Sequence, residues 1–263
     1  MKIIKFSLAV AISTAILSTS AMADSWKVTQ DVDVSAVGAN TTLTQTNTAA
    51  AGTSGSVQSL NNINLDTTDG IIDTGSTQTV KAGANTLNLI QAASTDTSKQ
   101  AANRAVAQTV TDLTQDVQMT AGTIKLDQNA ATLATNTQAV NEVNGEVITK
   151  LEQKITSTGT TLDMNQEGAS TQNTQVGNLL SVGVSTATSG VNQTITVKDV
   201  TMDQKSTTSA FQSGNAMLIG DGSAVSGGSL NQKYTTASTL AMTQDGTTSS
   251  YQSANYAGVK TNP

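Results

Sequence analysis

The chain has 263 residues, of which 12% are charged and 2% aromatic, with no cysteine, no histidine and a formal net charge of −6. Without histidine there is no triad base and no histidine-based metal site, and without cysteine there is no disulfide framework to reinforce a thin core. The acidic balance argues against nucleic acid as a partner, because phosphate binding needs a concentrated basic face.

Met1 to Lys5 is a basic start, Phe6 to Leu17 is apolar, and Ala21-Met22-Ala23 is a small-x-small cleavage site. This pattern predicts a secretory signal peptide over residues 1–23. The apolar run is too short to span a bilayer, so the mature chain, 24–263, is expected to be secreted, extracellular or at the cell surface, with no membrane span. Without Lys2 and Lys5 the 13 basic residues fall to 11 against 19 acidic ones, a formal charge of −8.

The mature chain reads as six imperfect repeats, near 26–75, 76–110, 111–148, 149–188, 189–227 and 228–263. Each carries three cassettes in fixed order: a first Gln between hydrophobic neighbours, a second Gln led by a hydrophobic residue two places before it, and Gln-x-x-Asn. The first repeat has Gln30 within Val28-Thr29-Gln30-Asp31-Val32, then Leu43-Thr44-Gln45, then Gln58 and Asn61. The second has Gln78, led by Ser76 in place of a hydrophobic residue, then Gln91, then Gln100 and Asn103. The third has Gln115, Gln128, Gln138 and Asn141. The fourth has Gln153, Gln166, Gln175 and Asn178. The fifth has Gln193, Gln204, Gln212 and Asn215, and the sixth Gln232, Gln244, Gln252 and Asn255. Successive first Gln residues stand 48, 37, 38, 40 and 39 positions apart. A fixed period near 38 is the signature of a repeat architecture. The longest interval reflects an insertion near Asp66-Thr67-Thr68-Asp69-Gly70.

From Trp26 to Val34 the residues alternate, with Trp26, Val28, Gln30, Val32 and Val34 on one side. Residues two apart share a face of a strand, so Gln30 is expected to point inward with the apolar residues. Leu87, Leu89 and Gln91 give the same parity. A lone buried amide is costly. Stacked on an identical Gln one layer away, it donates to the next carbonyl, as in the Asn/Gln ladders of cross-β stacks. Gly- and Asn-rich stretches such as Gly83-Ala84-Asn85 and Gly190 supply the corners between strands. Residues 97–157 contain enough Ala, Glu, Lys and Leu to suggest helices. The cassettes run through them in register, so the repeat predicts strands there too. A coiled coil would need sustained apolar heptads, which are absent.

Of the mature-chain aromatics after Trp26, Tyr234, Tyr251 and Tyr256 fall in the final repeat and Phe211 in the fifth. Terminal repeats of solenoids are often atypical because they cap an open edge; docking on a next subunit accounts for the tyrosines equally well. No catalytic, metal or cofactor site is expected. The acid pairs Asp31/Asp33 and Asp66/Asp69 match no calcium loop, no serine has a base, and the Thr-x-Thr runs do not keep the period that a flat ligand-binding array needs.

The fold class these features predict is all-β, a β-solenoid or layered β-arcade with Gln/Asn ladders. The pattern resembles bacterial functional amyloid fibre subunits. Gln175-Val176-Gly177-Asn178 and Gln212-Ser213-Gly214-Asn215 are similar to the Gln and Gly-Asn steps of curli-type repeats, and the repeat length is closer to that of Fap-type subunits. The resemblance implies a secreted monomer that assembles with copies of itself into extracellular fibres, in biofilm matrix or surface adhesion, with a nucleator subunit and an outer-membrane export channel as further partners. A monomeric exported solenoid acting as an adhesin or ligand-binding module is the alternative.

Overall fold

In a computed structural model the described residues are 25–35, 42–47, 56–65, 67–91, 97–128, 132–157, 159, 161–167, 169–183, 190–205, 207–220, 229–245 and 249–260. The expected leader, residues 1–23, lies outside them. The described chain is a parallel β-solenoid with six layers and no helix. The first layer contains β1 (Ser25–Trp26), β2 (Thr29–Asp33), β3 (Thr42–Asn47) and β4 (Ser56–Asn64). The second contains β5 (Ile71–Ile72), β6 (Ser76–Gly83), β7 (Thr86–Gln91) and β8 (Thr97–Val106). The third has β9 (Thr109–Val110), β10 (Leu113–Met119), β11 (Thr123–Gln128) and β12 (Thr132–Gly145), and the fourth β13 (Val147–Ile148), β14 (Leu151–Ser157), β15 (Thr161–Gln166) and β16 (Ala169–Val182). In the last two layers the front strands fuse, leaving β17 (Val191–Lys205) with β18 (Thr207–Gly220), and β19 (Leu230–Asp245) with β20 (Ser249–Lys260).

Each layer is one folded-back arch. Two front segments carry the first and second cassettes, and one back strand returns across them carrying Gln-x-x-Asn. Layers stack into a front sheet, a back sheet in the order β20-β18-β16-β12-β8-β4, and a four-stranded corner sheet, β1-β5-β9-β13. Every pairing is parallel, and outside the β3–β7 pair it aligns equivalent cassette residues: Gln78 and Gln153 flank Gln115, and Gln100 and Gln175 flank Gln138. The Ala-, Glu- and Lys-containing region 97–157 is strand throughout its described residues, apart from turns. There the cassette residues gain cross-layer partners of their own kind, such as Gln100 with Gln138 and Asn103 with Asn141, and local propensity yields to that.

Alternation explains the front strands. In β6, Ser76, Gln78, Val80 and Ala82 are buried while the residues between them are half-buried. The inward side chains form two apolar columns between the sheets. One includes Val80, Leu89, Val117, Leu126, Ile155, Met164 and Ile195, with Ala102 and Val140 from the back sheet. The other includes Leu113, Leu151 and Val191, with the corner residues Ile72, Val110 and Ile148 and the back-sheet residues Val143 and Leu180. The continuous strand expected from Trp26 to Val34 is divided: Trp26 belongs to the corner sheet, 39% exposed, and the inward series starts only beyond it.

Every back strand is bent. Residues i and i+3 of a regular strand face opposite ways, yet Gln100 and Asn103 are both fully buried. Register pairing passes over one residue between them in each layer: Leu60, Ala102, Val140, Gly177, Gly214 and Ala254. The inward series 98, 100, 102 there becomes 103, 105. Glycine is required at two of these bends by close approach. A Cβ on Gly177 would lie 2.4 Å from Ile195 Cδ1 and 2.7 Å from the Gly214 carbonyl, and one on Gly214 would lie 2.5 Å from Tyr234 Cδ2.

Candidate assembly interface

The first cassette column runs unbroken through all six layers. Gln78 Nε2 donates to Gln30 Oε1 at 2.8 Å, Gln115 to Gln78 at 2.7 Å, and Gln153 to Gln115, Gln193 to Gln153 and Gln232 to Gln193 at 2.8 Å each. The remaining N–H of each amide reaches a back-strand carbonyl: Asn62 from Gln30, Arg104 from Gln78, Glu142 from Gln115, Leu179 from Gln153, Ala216 from Gln193 and Tyr256 from Gln232. Each amide from Gln78 onward therefore ties its own layer to the one below and the front sheet to the back, so its desolvation is compensated.

Gln-x-x-Asn supplies two more unbroken columns. Gln100 donates to Gln58, Gln138 to Gln100, Gln175 to Gln138, Gln212 to Gln175 and Gln252 to Gln212, at 2.8–2.9 Å. The asparagines donate the other way: Asn61 to Asn103, Asn103 to Asn141, Asn141 to Asn178, Asn178 to Asn215 and Asn215 to Asn255, at 2.7–2.9 Å. The glutamine columns thus donate toward the first layer and the asparagine column toward the last.

The second cassette does something else. Gln91, Gln166, Gln204 and Gln244 stand at the end of the front segment, and each is bonded to the residue seven positions on: Ser98, Asn173, the Phe211 carbonyl and the Tyr251 carbonyl. They clasp the arch where the chain turns back. Rungs between layers run from Gln128 to Gln91, at 3.3 Å, and from Gln244 to Gln204, at 3.2 Å. In the first layer the expected alignment of Gln45 with Gln91 gives way to another. Leu43 pairs with Leu87, Gln45 with Leu89, and Asn47 takes the place opposite Gln91.

Charges lie outside the two apolar columns. On the outer face of the bent back sheet, Glu142 is buried between Arg104, at 3.4 Å, and Lys99, at 3.3 Å. On the outer front face, desolvation pushes the Asp163 carboxyl above its usual range; neighbouring Asp127 and Asp203 add to this and Lys125 opposes it. Burial pushes the Tyr234 hydroxyl up to about 12. The last layers gather the aromatics: Phe211 and Tyr256 meet edge-on with centroids 5.0 Å apart, and Tyr251 lies 6.4 Å from Tyr256. Among the described residues no group of three or more acidic side chains could hold a metal ion, and no helix is long and apolar enough to cross a membrane.

At the two ends the columns stop with opposite chemistry. On the last layer Gln232 and Gln252 present Oε1 acceptors and Asn255 an Nδ2 donor with no described layer beyond. On the first layer Gln30 presents a donor and Asn61 the acceptor that an underlying layer would meet. The Gln58 amide already reaches the Gln45 and Ile90 carbonyls, so a rung below would share one of its N–H groups, as Gln100 does among Gln58, Leu89 and Asp127. Sequence reasoning missed the opposed directions of the columns, which depend on amide orientation, and the corner sheet, whose only signal is an apolar pair such as Ile71-Ile72 before a cassette. Comparison with known proteins finds no matching family, no similar curated protein and no similar solved structure.

Proposed function

We propose that this chain is a structural subunit that polymerises with copies of itself into extracellular amyloid-like fibres, of the kind that build biofilm matrix or mediate surface adhesion. The observation that carries this reading is the complementarity of the two ends: among the described residues, three side-chain ladders and two sheets end without a further rung or strand, and each end offers the ladder chemistry that the other lacks. Edge strands are ordinarily blunted by proline, by inward charge or by a covering element. Here β19 and β20 are 16 and 12 residues long, contain no proline, and close the stack uncovered by any other described element. The basic start, apolar run and Ala21-Met22-Ala23 site support export, and the Gln and Gly-Asn steps at Gln175–Asn178 and Gln212–Asn215 support likeness to functional amyloid subunits. A nucleating subunit and an export channel are the partners such a fibre would need.

The test is assembly of purified residues 24–263 diluted from denaturant, followed by thioflavin fluorescence and electron microscopy. Unbranched fibrils that grow after a lag and seed fresh monomer are the expected result. A stable β-rich monomer that forms no fibrils would overturn the proposal in favour of a ligand-binding solenoid.

A further inference from the structure

Large apolar side chains left exposed among the described residues occur only in the two end layers. Trp26 and Val57 (42% exposed) belong to the first layer, and Leu240 and Tyr251 (62% exposed) to the last. The internal register says how the ends would meet. One back-sheet column runs Val57, Lys99, Thr137, Thr174, Phe211, Tyr251. One front-sheet column runs Asp31, Thr79, Asp116, Lys154, Thr194, Lys233. Continued by one layer, the first sets Val57 of a second copy over Tyr251. The second sets Asp31 against Lys233, both exposed, repeating the Asp116–Lys154 adjacency inside the chain.

Resting on the polymer reading above, we propose that the subunit junction is head to tail in this single register. The first layer of one copy sits on the last layer of the next, with Gln30 donating to Gln232, Gln58 to Gln252, and Asn255 to Asn61. Three independent features select it. A one-residue slip turns every inward side chain outward. A two-residue slip sets Gln30 over Leu230 or Tyr234 and leaves its amide without a rung. Opposing two first layers brings glutamine donors against glutamine donors, and antiparallel strands cannot continue a parallel stack. The partner is therefore a second copy of this chain, recognised through a polar ladder, an aromatic–aliphatic contact and one ion pair.

The chain has no cysteine, so single cysteines report the junction cleanly. Ser59 and Ser253 occupy one column but lie five layers apart within a chain, on the order of 24 Å, so any bond between them joins two chains. Fibres grown from an equimolar mixture of Ser59→Cys and Ser253→Cys chains, then treated with a short thiol-specific cross-linker, should yield mixed dimers. Ser253→Cys alone should yield none, and Ser59→Cys mixed with Ser249→Cys, four residues out of register, far fewer. Fibres that give Ser253→Cys homodimers, or equal yields in the shifted pair, would overturn the junction and leave the polymer standing. Failure of the unaltered chain to form fibres would remove both. Should the cysteine variants alone fail to assemble, charge exchange decides. Asp31→Lys or Lys233→Asp should each slow seeded elongation by about threefold or more, and the two together should restore it. Absence of rescue would contradict the register.

Discussion

Gln153 makes the residue-scale case. Its amide is fully buried, donates to Gln115 Oε1 and the Leu179 carbonyl, and accepts from Gln193. Leucine in its place fills similar volume but orphans two acceptors and one donor in a dry interior, and each orphan costs about 1–3 kcal/mol. Gln153→Leu should therefore lower stability by about 3 kcal/mol or more in urea unfolding, whereas Thr196→Leu, exposed on the neighbouring strand, should stay within about 0.5 kcal/mol. Equal behaviour of the two variants would contradict the ladder account. The inward position of this residue was legible in the sequence, because Leu151, Gln153 and Ile155 alternate and the same triplet returns every 38 or so residues. Position within the first repeat was less so. Leu43-Thr44-Gln45 matches Leu89-Ile90-Gln91 by eye, but the strand register pairs Leu43 with Leu87, and a two-residue shift is invisible to a pattern of period two.

At the scale of the element, the back strand shows why Gln-x-x-Asn has a spacing no regular strand would give. A bend at one residue per layer turns both amides inward, and the front sheet decides what can occupy the bend. Opposite Ile195 and Tyr234 it must be glycine; elsewhere alanine, valine or leucine serves. That size match was not legible because it depends on which front residue faces which back residue. Tyr234, held against Gly214, has a hydroxyl without a hydrogen-bond partner and a pKa raised to about 12. A raised folded-state pKa means that the stabilising contribution is fully present below about 10, the unfolded value, and is lost as pH rises through about 12. Tyr234→Phe should match the parent in stability near neutral pH and outlast it above about pH 10 in thermal unfolding followed by circular dichroism. Parallel loss of stability in both proteins across that range would show that Tyr234 does not carry the alkaline sensitivity.

For the whole molecule, adjacency is the rule. Each layer pairs with the layers beside it, the ladders are chains of nearest-neighbour bonds, and stability accumulates along one axis as in other repeat proteins. Nothing in that arrangement distinguishes a seventh layer of the same chain from the first layer of another. The all-β class and the repeat were legible because six cassettes in one order fix both. The polarity of the ends was not, since it lies in amide orientation. The central claim, that copies continue the stack one on another, is tested most directly by mass per length of unstained fibres in scanning transmission electron microscopy. Six layers at about 4.8 Å give roughly 29 Å per subunit. The 26.8 kDa chain, less its expected leader, leaves roughly 24 kDa, so one filament should weigh about 0.8 kDa per Å and paired filaments twice that. A value well away from any whole multiple of that figure would mean that subunits do not stack end to end, and would contradict the account.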